Sequence, residues 1–295
     1  MKRFLNTPQV RQQLRKLRPY YNTIFRRQKD LSRAPSSVER INAMGGRGVF
    51  LLSFGRCGTT VFCDFLASHP GLTTFGEVLN EESYYSFFQA FSKGALRWWA
   101  MRPSLMEAEF YRFIEKLVQR NSRQHCLLDM KIESLHLIEG NWRLPGLHFK
   151  LFDALKQSNA PIIVMERRDL VARHVSGQIA FRRGQYHSYQ TAQEVEPFAI
   201  DIPAMEADNM LIRAQIDYIA KFFQNYPRFK RLAYEDLFAE DGSFASQLGV
   251  DIADLLGIEN QFDFRPQLEK VVKGKSSSLI TNWDEVEASR GRQDM

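Results

Sequence analysis

The chain has 295 residues, 44% of them hydrophobic and 25% charged, which is ordinary for a globular protein and enough for one sizeable core. No apolar run approaches the roughly 20 residues that span a bilayer and the first residues lack a signal-peptide core, so a cytoplasmic location is expected. Cys57, Cys63 and Cys126 are odd in number and show no Cys-x-x-Cys pair, which speaks against a disulfide framework or a zinc site; no metal is expected.

The formal net charge of +6 resides in the N-terminal arm, residues 1–40, which holds Lys2, Arg3, Arg11, Arg15, Lys16, Arg18, Arg26, Arg27, Lys29, Arg33 and Arg40 against Asp30 and Glu39. Val10, Leu14, Leu17, Tyr21, Ile24 and Phe25 recur at three- and four-residue steps, the pattern of a basic amphipathic helix. Such a helix either packs its stripe on the domain or lies peripherally on an anionic membrane or a partner. Ala34-Pro35-Ser36-Ser37 reads as a linker, with one folded domain expected over 41–295.

The stretch from Val49 to Leu66 organises that domain. The apolar run Val49-Phe50-Leu51-Leu52 breaks at Gly55-Arg56-Cys57-Gly58-Thr59-Thr60, and Val61, Phe62, Phe65 and Leu66 then resume at helical spacing. This is a buried strand, a tight loop and a helix. The first amides of such a helix lack intrahelical partners and carry the positive end of its dipole, so an anion belongs there. Gly55 and Gly58 permit close approach, Thr59 and Thr60 offer hydroxyls, and Arg56 supplies a forked cation. A Walker A loop would place a lysine directly after the second glycine, where this chain has Thr59, so a nucleotide hydrolase is disfavoured. Cys57 is read as a small packing residue.

His69 lies in a turn, Ser68-His69-Pro70-Gly71, before a short strand, Leu72–Phe75, and Glu77 follows at the strand end. The aromatics of 81–104, from Tyr84 and Tyr85 through Phe87 and Phe88 to Trp98 and Trp99, divide between core packing and contacts to an acceptor. A helix is expected over Glu107–Arg120, and a second buried strand over Cys126–Ile132 brings Lys131 to the sheet end. A third strand, Pro161–Glu166, runs into Arg167-Arg168-Asp169 and a helix from Leu170, with Asp169 as its cap. Ser176 lies eight residues beyond Arg168, a little over two helical turns, so the pair could bracket one phosphate. Helices near Leu211–Phe223 and Ser243–Leu256 flank a strand at Arg231–Tyr234, and a basic loop, Lys273-Gly274-Lys275-Ser276, precedes Asn282-Trp283-Asp284. Strands alternating with helices predict an α/β fold, a parallel sheet covered on both faces.

Three anion-binding clusters thus accumulate, at Arg56–Thr60, at Arg168 with Ser176, and at Lys273–Ser276. In combination with Tyr234-Glu235-Asp236-Leu237, they resemble the sulfotransferases that use 3′-phosphoadenosine 5′-phosphosulfate (PAPS), over roughly residues 48–290. The Gly76-Glu77 element, the doubled Arg167-Arg168-Asp169 and the Asn-Trp-Asp tail are most similar to the bacterial carbohydrate branch, the trehalose and nodulation-factor type. The resemblance implies a three-layer, P-loop-like catalytic domain that moves a sulfuryl group from PAPS to a carbohydrate or glycolipid hydroxyl. It implies that Glu77 is the base, that Arg56, Cys57, Gly58, Thr59 and Thr60 hold the 5′-phosphosulfate, and that Arg168 and Ser176 hold the 3′-phosphate. Tyr234 is implied to lie near the adenosine, and Lys273, Lys275 and Ser276 to close over the 3′-phosphate. Cys57 stands where serine is more usual, and the Lys-Gly-Lys-Ser loop departs from the cytosolic enzymes' Arg-Lys-Gly form. Lys131 is a further candidate for the leaving-group charge. Two alternatives stay open, a nucleotide kinase-like phosphoryl transferase and a non-enzymatic nucleic-acid binder acting through the arm, the latter disfavoured.

Overall fold

The apolar run ahead of the glycine loop forms the central strand β1 (Gly48–Ser53) of a computed structural model that describes residues 35–80, 83–92, 103–139, 148–184, 195–239, 243–264 and 276–293. The amphipathic stripe of the N-terminal arm, Trp98, Trp99, Lys273 and Lys275 lie outside the described residues. Before β1 comes helix α1 (Ser37–Ala43), and after it α2 (Thr59–Ala67), β2 (Leu72–Glu77), α3 (Phe87–Ser92) and α4 (Pro103–Arg120). The chain continues through β3 (His125–Lys131), α5 (His136–Glu139), α6 (Lys150–Lys156), β4 (Ile162–Glu166) and α7 (Leu170–Arg183). It closes with α8 (Ile202–Phe223), β5 (Phe229–Ala233), α9 (Ser246–Leu256) and α10 (Trp283–Gln293).

All five strands are parallel, in the order β2-β3-β1-β4-β5. After β1 the chain moves outward to β2, returns to fill the β3 place, then crosses β1 to β4. The strand order therefore reverses beside β1, and the crevice beyond the carboxyl ends there is where open α/β sheets gather ligands. Period-two alternation assigns the two faces. Phe50, Leu52, Leu128 and Val164 pack with Phe110, Phe152 and Ile216 of α4, α6 and α8. Val49, Leu51, Leu127 and Met165 pack on the other side with Phe62 and Phe65 of α2 and Ile252 of α9. The result is the expected three-layer α/β/α arrangement.

Several boundaries differ from the sequence expectation, each for a local reason. Part of the stretch read as a linker is the start of α1: Ser36 is its N-cap, exchanging hydrogen bonds with Glu39 in a capping box. Strand β2 runs on through Gly76, at φ +66, so Glu77 is its last residue instead of following it. Helix α8 starts well before Leu211, at an Asp201 cap whose side chain accepts from the Ala204 amide, with proline in the first turn. Ser243 belongs to a short antiparallel bridge segment, Phe238 pairing with Phe244, and α9 begins only at Ser246.

The tail is fixed by one side chain acting as backbone. Asn282 Nδ2 donates to the Ile200 carbonyl at 2.9 Å while its Oδ1 accepts from the Ile200 amide at 2.9 Å. Ile280 and Val286 then join Val171, Val175 and Ile179 of α7 in a third apolar cluster, with Trp283 against it. Asn282→Ala leaves both Ile200 groups unsatisfied and is expected to cost about 1–3 kcal/mol, read as a lower urea midpoint with an unchanged slope.

Candidate active site

The loop between β1 and α2 is held in a conformation that costs energy. Arg56 has φ +68, the only non-glycine residue with positive φ among the described residues, a state worth about 1–3 kcal/mol of strain. Gly58, at φ +81, is the N-cap of α2 and makes no side-chain cap bond. A Cβ on Gly58 would meet the Tyr234 ring at 2.2 Å, so glycine is required both by the backbone and by that ring. Arg56 Nε donates to Ser176 Oγ at 3.1 Å, which joins the loop to helix α7 across the β1–β4 crevice. Two more arginines grip the loop backbone: Arg167 donates to the Arg56 carbonyl and Arg173 to the Gly55 carbonyl, each at 3.4 Å. Arg167 also lies 5.0 Å from the Tyr234 ring centroid.

Two helices point their N-termini at this crevice, but they are not equivalent. At α7 the Asp169 carboxylate accepts from the Ala172 amide, and Glu235 accepts from the amides of Arg168 and Asp169 at 3.0 and 3.1 Å. Its positive end is satisfied from within. Helix α2 has no such side-chain cap, and of the loop leading to it the Gly55 amide donates to Glu133 Oε1 at 2.9 Å. The Nε atoms of Arg167 and Arg173 are buried with no hydrogen-bond partner among the described residues. Orphaned guanidinium donors beside an uncapped helix start are what an incoming anion satisfies.

Beside the loop lies a buried cation. Because Leu127 faces the α2 layer, Asp129 and Lys131 face it too, by strand alternation. Lys131 Nζ donates to Thr59 Oγ1 at 2.8 Å, to Ser53 Oγ at 3.2 Å and to the two Asp129 oxygens at 2.9 and 2.8 Å. Glu77 Oε1 lies 3.4 Å away, and Asn80 Nδ2 donates to the other Glu77 oxygen at 3.1 Å. Burial alone would discharge this lysine, but Asp129 and Glu77 outweigh it and hold its ammonium protonated well above the usual lysine range. The candidate base and the candidate lysine are therefore one ion pair.

The pair Arg168 and Ser176 is divided. Arg168 binds both oxygens of Asp236 through its two terminal nitrogens, with its side chain 55% exposed, while Ser176 Oγ is taken by Arg56. Lys273 and Lys275 lie outside the described residues; Ser276 opens a short 3-10 turn, Ser276–Leu279. Tyr234 begins another such turn and stacks over Gly58. Thr59 is buried and is the first residue of α2, followed by Thr60. His69 is the turn residue expected, accepting from the Gly71 amide at 2.9 Å. Of the aromatics, Phe87 and Phe88 are buried and Tyr84 and Tyr85 are exposed.

Sequence reasoning missed Asp129, Glu133 and Arg173. Asp129 had a signal: a carboxylate inside a buried strand, two residues before the lysine, must share the lysine's face and needs its charge. Arg173, 9% exposed and ion-paired with Asp208, had none, since its burial depends on how α7 and α8 meet.

Cys57 is buried with a thiol pushed up to about 11, chiefly by burial. It is a packing residue. A thiol whose folded value is raised favours the folded state up to its ordinary range, and that contribution is lost as pH climbs from there through about 11. Cys57, Cys63 and Cys126 are all buried, so native protein at neutral pH should resist iodoacetamide and unfolded protein should take label at all of them, which intact-mass measurement reads.

Neither a search of family models nor a search of curated proteins gives a match for this chain. Among solved structures, the chain aligns with a sulfotransferase from Alicyclobacillus acidocaldarius at 16% identity and TM-score 0.45, over 83% of this chain and 91% of that one. It also aligns with the sulfotransferase domain of the Synechococcus PCC 7002 olefin synthase at 14% identity and TM-score 0.36, over 84% of this chain and 94% of that one.

Proposed function

We propose that the chain transfers a sulfuryl group from PAPS to a hydroxyl of a carbohydrate or glycolipid acceptor. The observation that carries this reading is the Arg56–Ser176 bond of 3.1 Å, which joins the first anion cluster read from the sequence to Ser176 of the second across one crevice. Loop amides, the Thr60 hydroxyl and the Arg56 guanidinium would take the 5′-phosphosulfate at the uncapped start of α2, where the orphaned donors of Arg167 and Arg173 add positive charge. Arg168, exposed at the end of β4, would meet the 3′-phosphate in competition with Asp236, and Ser276 with Lys273 and Lys275 would close over it.

Sulfuryl transfer asks for positioning and for stabilisation of charge on the departing phosphate, which fixed donors in a crevice supply without reorganising. The acceptor hydroxyl loses its proton as it attacks. Glu77, about a quarter exposed at the end of β2 and steadied by Lys131 and Asn80, would receive that proton at a carboxylate oxygen.

Incubation with isotope-labelled PAPS and sugar or glycolipid fractions, followed by mass spectrometry of whatever gains sulfate, tests the reaction directly. In thermal shift, adenosine 3′,5′-bisphosphate should stabilise the chain and ATP should not; stabilisation by ATP alone, with phosphoryl transfer, would replace this reading with the kinase-like one. Glu77→Gln should lower kcat by about 10²–10⁴-fold while leaving bisphosphate affinity near that of the wild type. Arg168→Ala should instead weaken that affinity about tenfold, by titration calorimetry, the equivalent of about 1.4 kcal/mol.

A further inference from the structure

One carboxylate beside the anion loop belongs neither to the Lys131 cluster nor to the capped start of α7. Glu133 lies in the turn Ile132–Ser134 directly after β3, and its Oε1 accepts from the Gly55 amide at 2.9 Å. The fit is close, since a Cβ on Gly55 would meet the same oxygen at 3.2 Å. The residue is exposed, and among the described residues it makes no ion pair of its own. The cations whose fields reach it are engaged elsewhere, Lys131 with Asp129 and Glu77, and Arg173 with Asp208. Crowding by the surrounding protein raises its carboxyl above the ordinary glutamate range, against the Gly55 amide and those cations. A carboxylate short of positive charge therefore stands at the first glycine of the loop.

The strand order says which end of a donor it would meet. With the sheet running β2-β3-β1-β4-β5, Glu77 ends β2, Glu133 follows β3, the loop follows β1 and Arg168 follows β4. In the sulfuryl-transfer reading, on which this inference rests, the 3′-phosphate is met on the β4 side and the acceptor's proton goes to Glu77, so the transferred group lies on the β3 side of the loop. We propose that Glu133 is a specificity-determining residue, whose carboxylate beside the transferred end of the donor admits a sulfuryl group and disfavours a phosphoryl group of the same shape. The two groups are both tetrahedral with three free oxygens, so neither volume nor a count of hydrogen-bond donors separates them. Charge does: the sulfuryl group carries one negative charge, and a terminal phosphoryl group close to two above its second pKa of about 6. Arg56, Arg167 and Arg173 supply attraction to either group, and the fixed negative charge of Glu133 is the repulsive element that weighs more heavily on the second.

The test is titration calorimetry of the full chain at low salt with PAPS and with 3′-phosphoadenosine 5′-diphosphate, which differ in one atom, phosphorus for the terminal sulfur. It is run at about pH 8, where the carboxylate is ionised and the terminal phosphoryl group has lost its second proton. The wild type should prefer PAPS. Glu133→Gln, whose amide oxygen can still accept from Gly55, should narrow that preference roughly tenfold by tightening the diphosphate more than PAPS. Glu133→Ala, which loses the hydrogen bond as well as the charge, should narrow it too, and serves alone if the Gln variant does not fold. A residue that only braces the loop predicts a Gln variant with the wild-type preference and an Ala variant that weakens both nucleotides equally; that result overturns the proposal, as does a wild type that binds the diphosphate at least as tightly as PAPS. Failure of the wild type to bind either nucleotide sinks the sulfuryl-transfer reading and this inference with it, whereas binding with a preference that ignores Glu133 sinks this inference alone.

Discussion

A cation with 7% of its surface exposed survives at the end of a β-sheet only if each of its protons is accepted and its charge is matched, and at Lys131 both conditions are met by different parts of the chain. Ser53 comes from β1, Glu77 from β2, Asp129 from β3 itself and Thr59 from the first turn of α2. One ammonium therefore ties the carboxyl ends of three strands to the start of the helix that follows the first of them. The loop from Phe54 to Gly58 is strung between two of these anchors. Its strained Arg56 persists because the surroundings over-determine it: Ser53 and Thr59 are pinned on either side, and Arg167 and Arg173 hold the carbonyls between. Removing one partner of such a buried cluster is costly, about 3–5 kcal/mol, because the charges left behind have no water to turn to.

Around that anchor the crevice keeps an internal balance of charge. Arg168 is met by Asp236, Arg173 by Asp208, and the Gly55 amide by Glu133, so that carboxylates of the chain occupy several positions an anion would otherwise take. The start of α7 is closed in the same way by Asp169 and Glu235, and Asp169 is bound in turn by Arg290 of α10. What this leaves open is the start of α2. The two helix starts are thus distinguished by capping, a difference made with side chains and not with the backbone, which offers the same dipole at both.

Much of the fold was legible because the central strands are uniformly apolar and the loop after β1 breaks that run with glycine. The uniform burial of β1 and β3 follows from their place in a parallel sheet with both faces covered. Less of the site could be read. The anion loop and the strand-end position of Glu77 and Lys131 follow from local sequence, but that the last two form an ion pair depends on β2 lying beside β3, a sheet order no local pattern states. The eight-residue spacing of Arg168 and Ser176 says they rise from one strand end, yet not which side chain each will meet; Asp236, two residues beyond Tyr234, competes for the arginine. Ser36 and Ser37 were misjudged because a Pro-Ser-Ser stretch has the composition of a linker, while Glu39, three residues after Ser36, carries the capping box that makes it a helix start.

Helix α7 links these observations to the tail. Its residues Val171, Val175 and Ile179 recur at four-residue steps and bury against Ile280 and Val286, so the last helix and the turn at Ser276–Leu279 are docked on one stripe. From other positions of the same helix Arg173 reaches the Gly55 carbonyl and Ser176 accepts from Arg56. A rigid helix cannot shift one stripe without shifting the other. The tail from Ser276 onward is therefore anchored to the element that sets the shape of the loop after β1, through packing that Asn282 fixes by pairing with the Ile200 backbone.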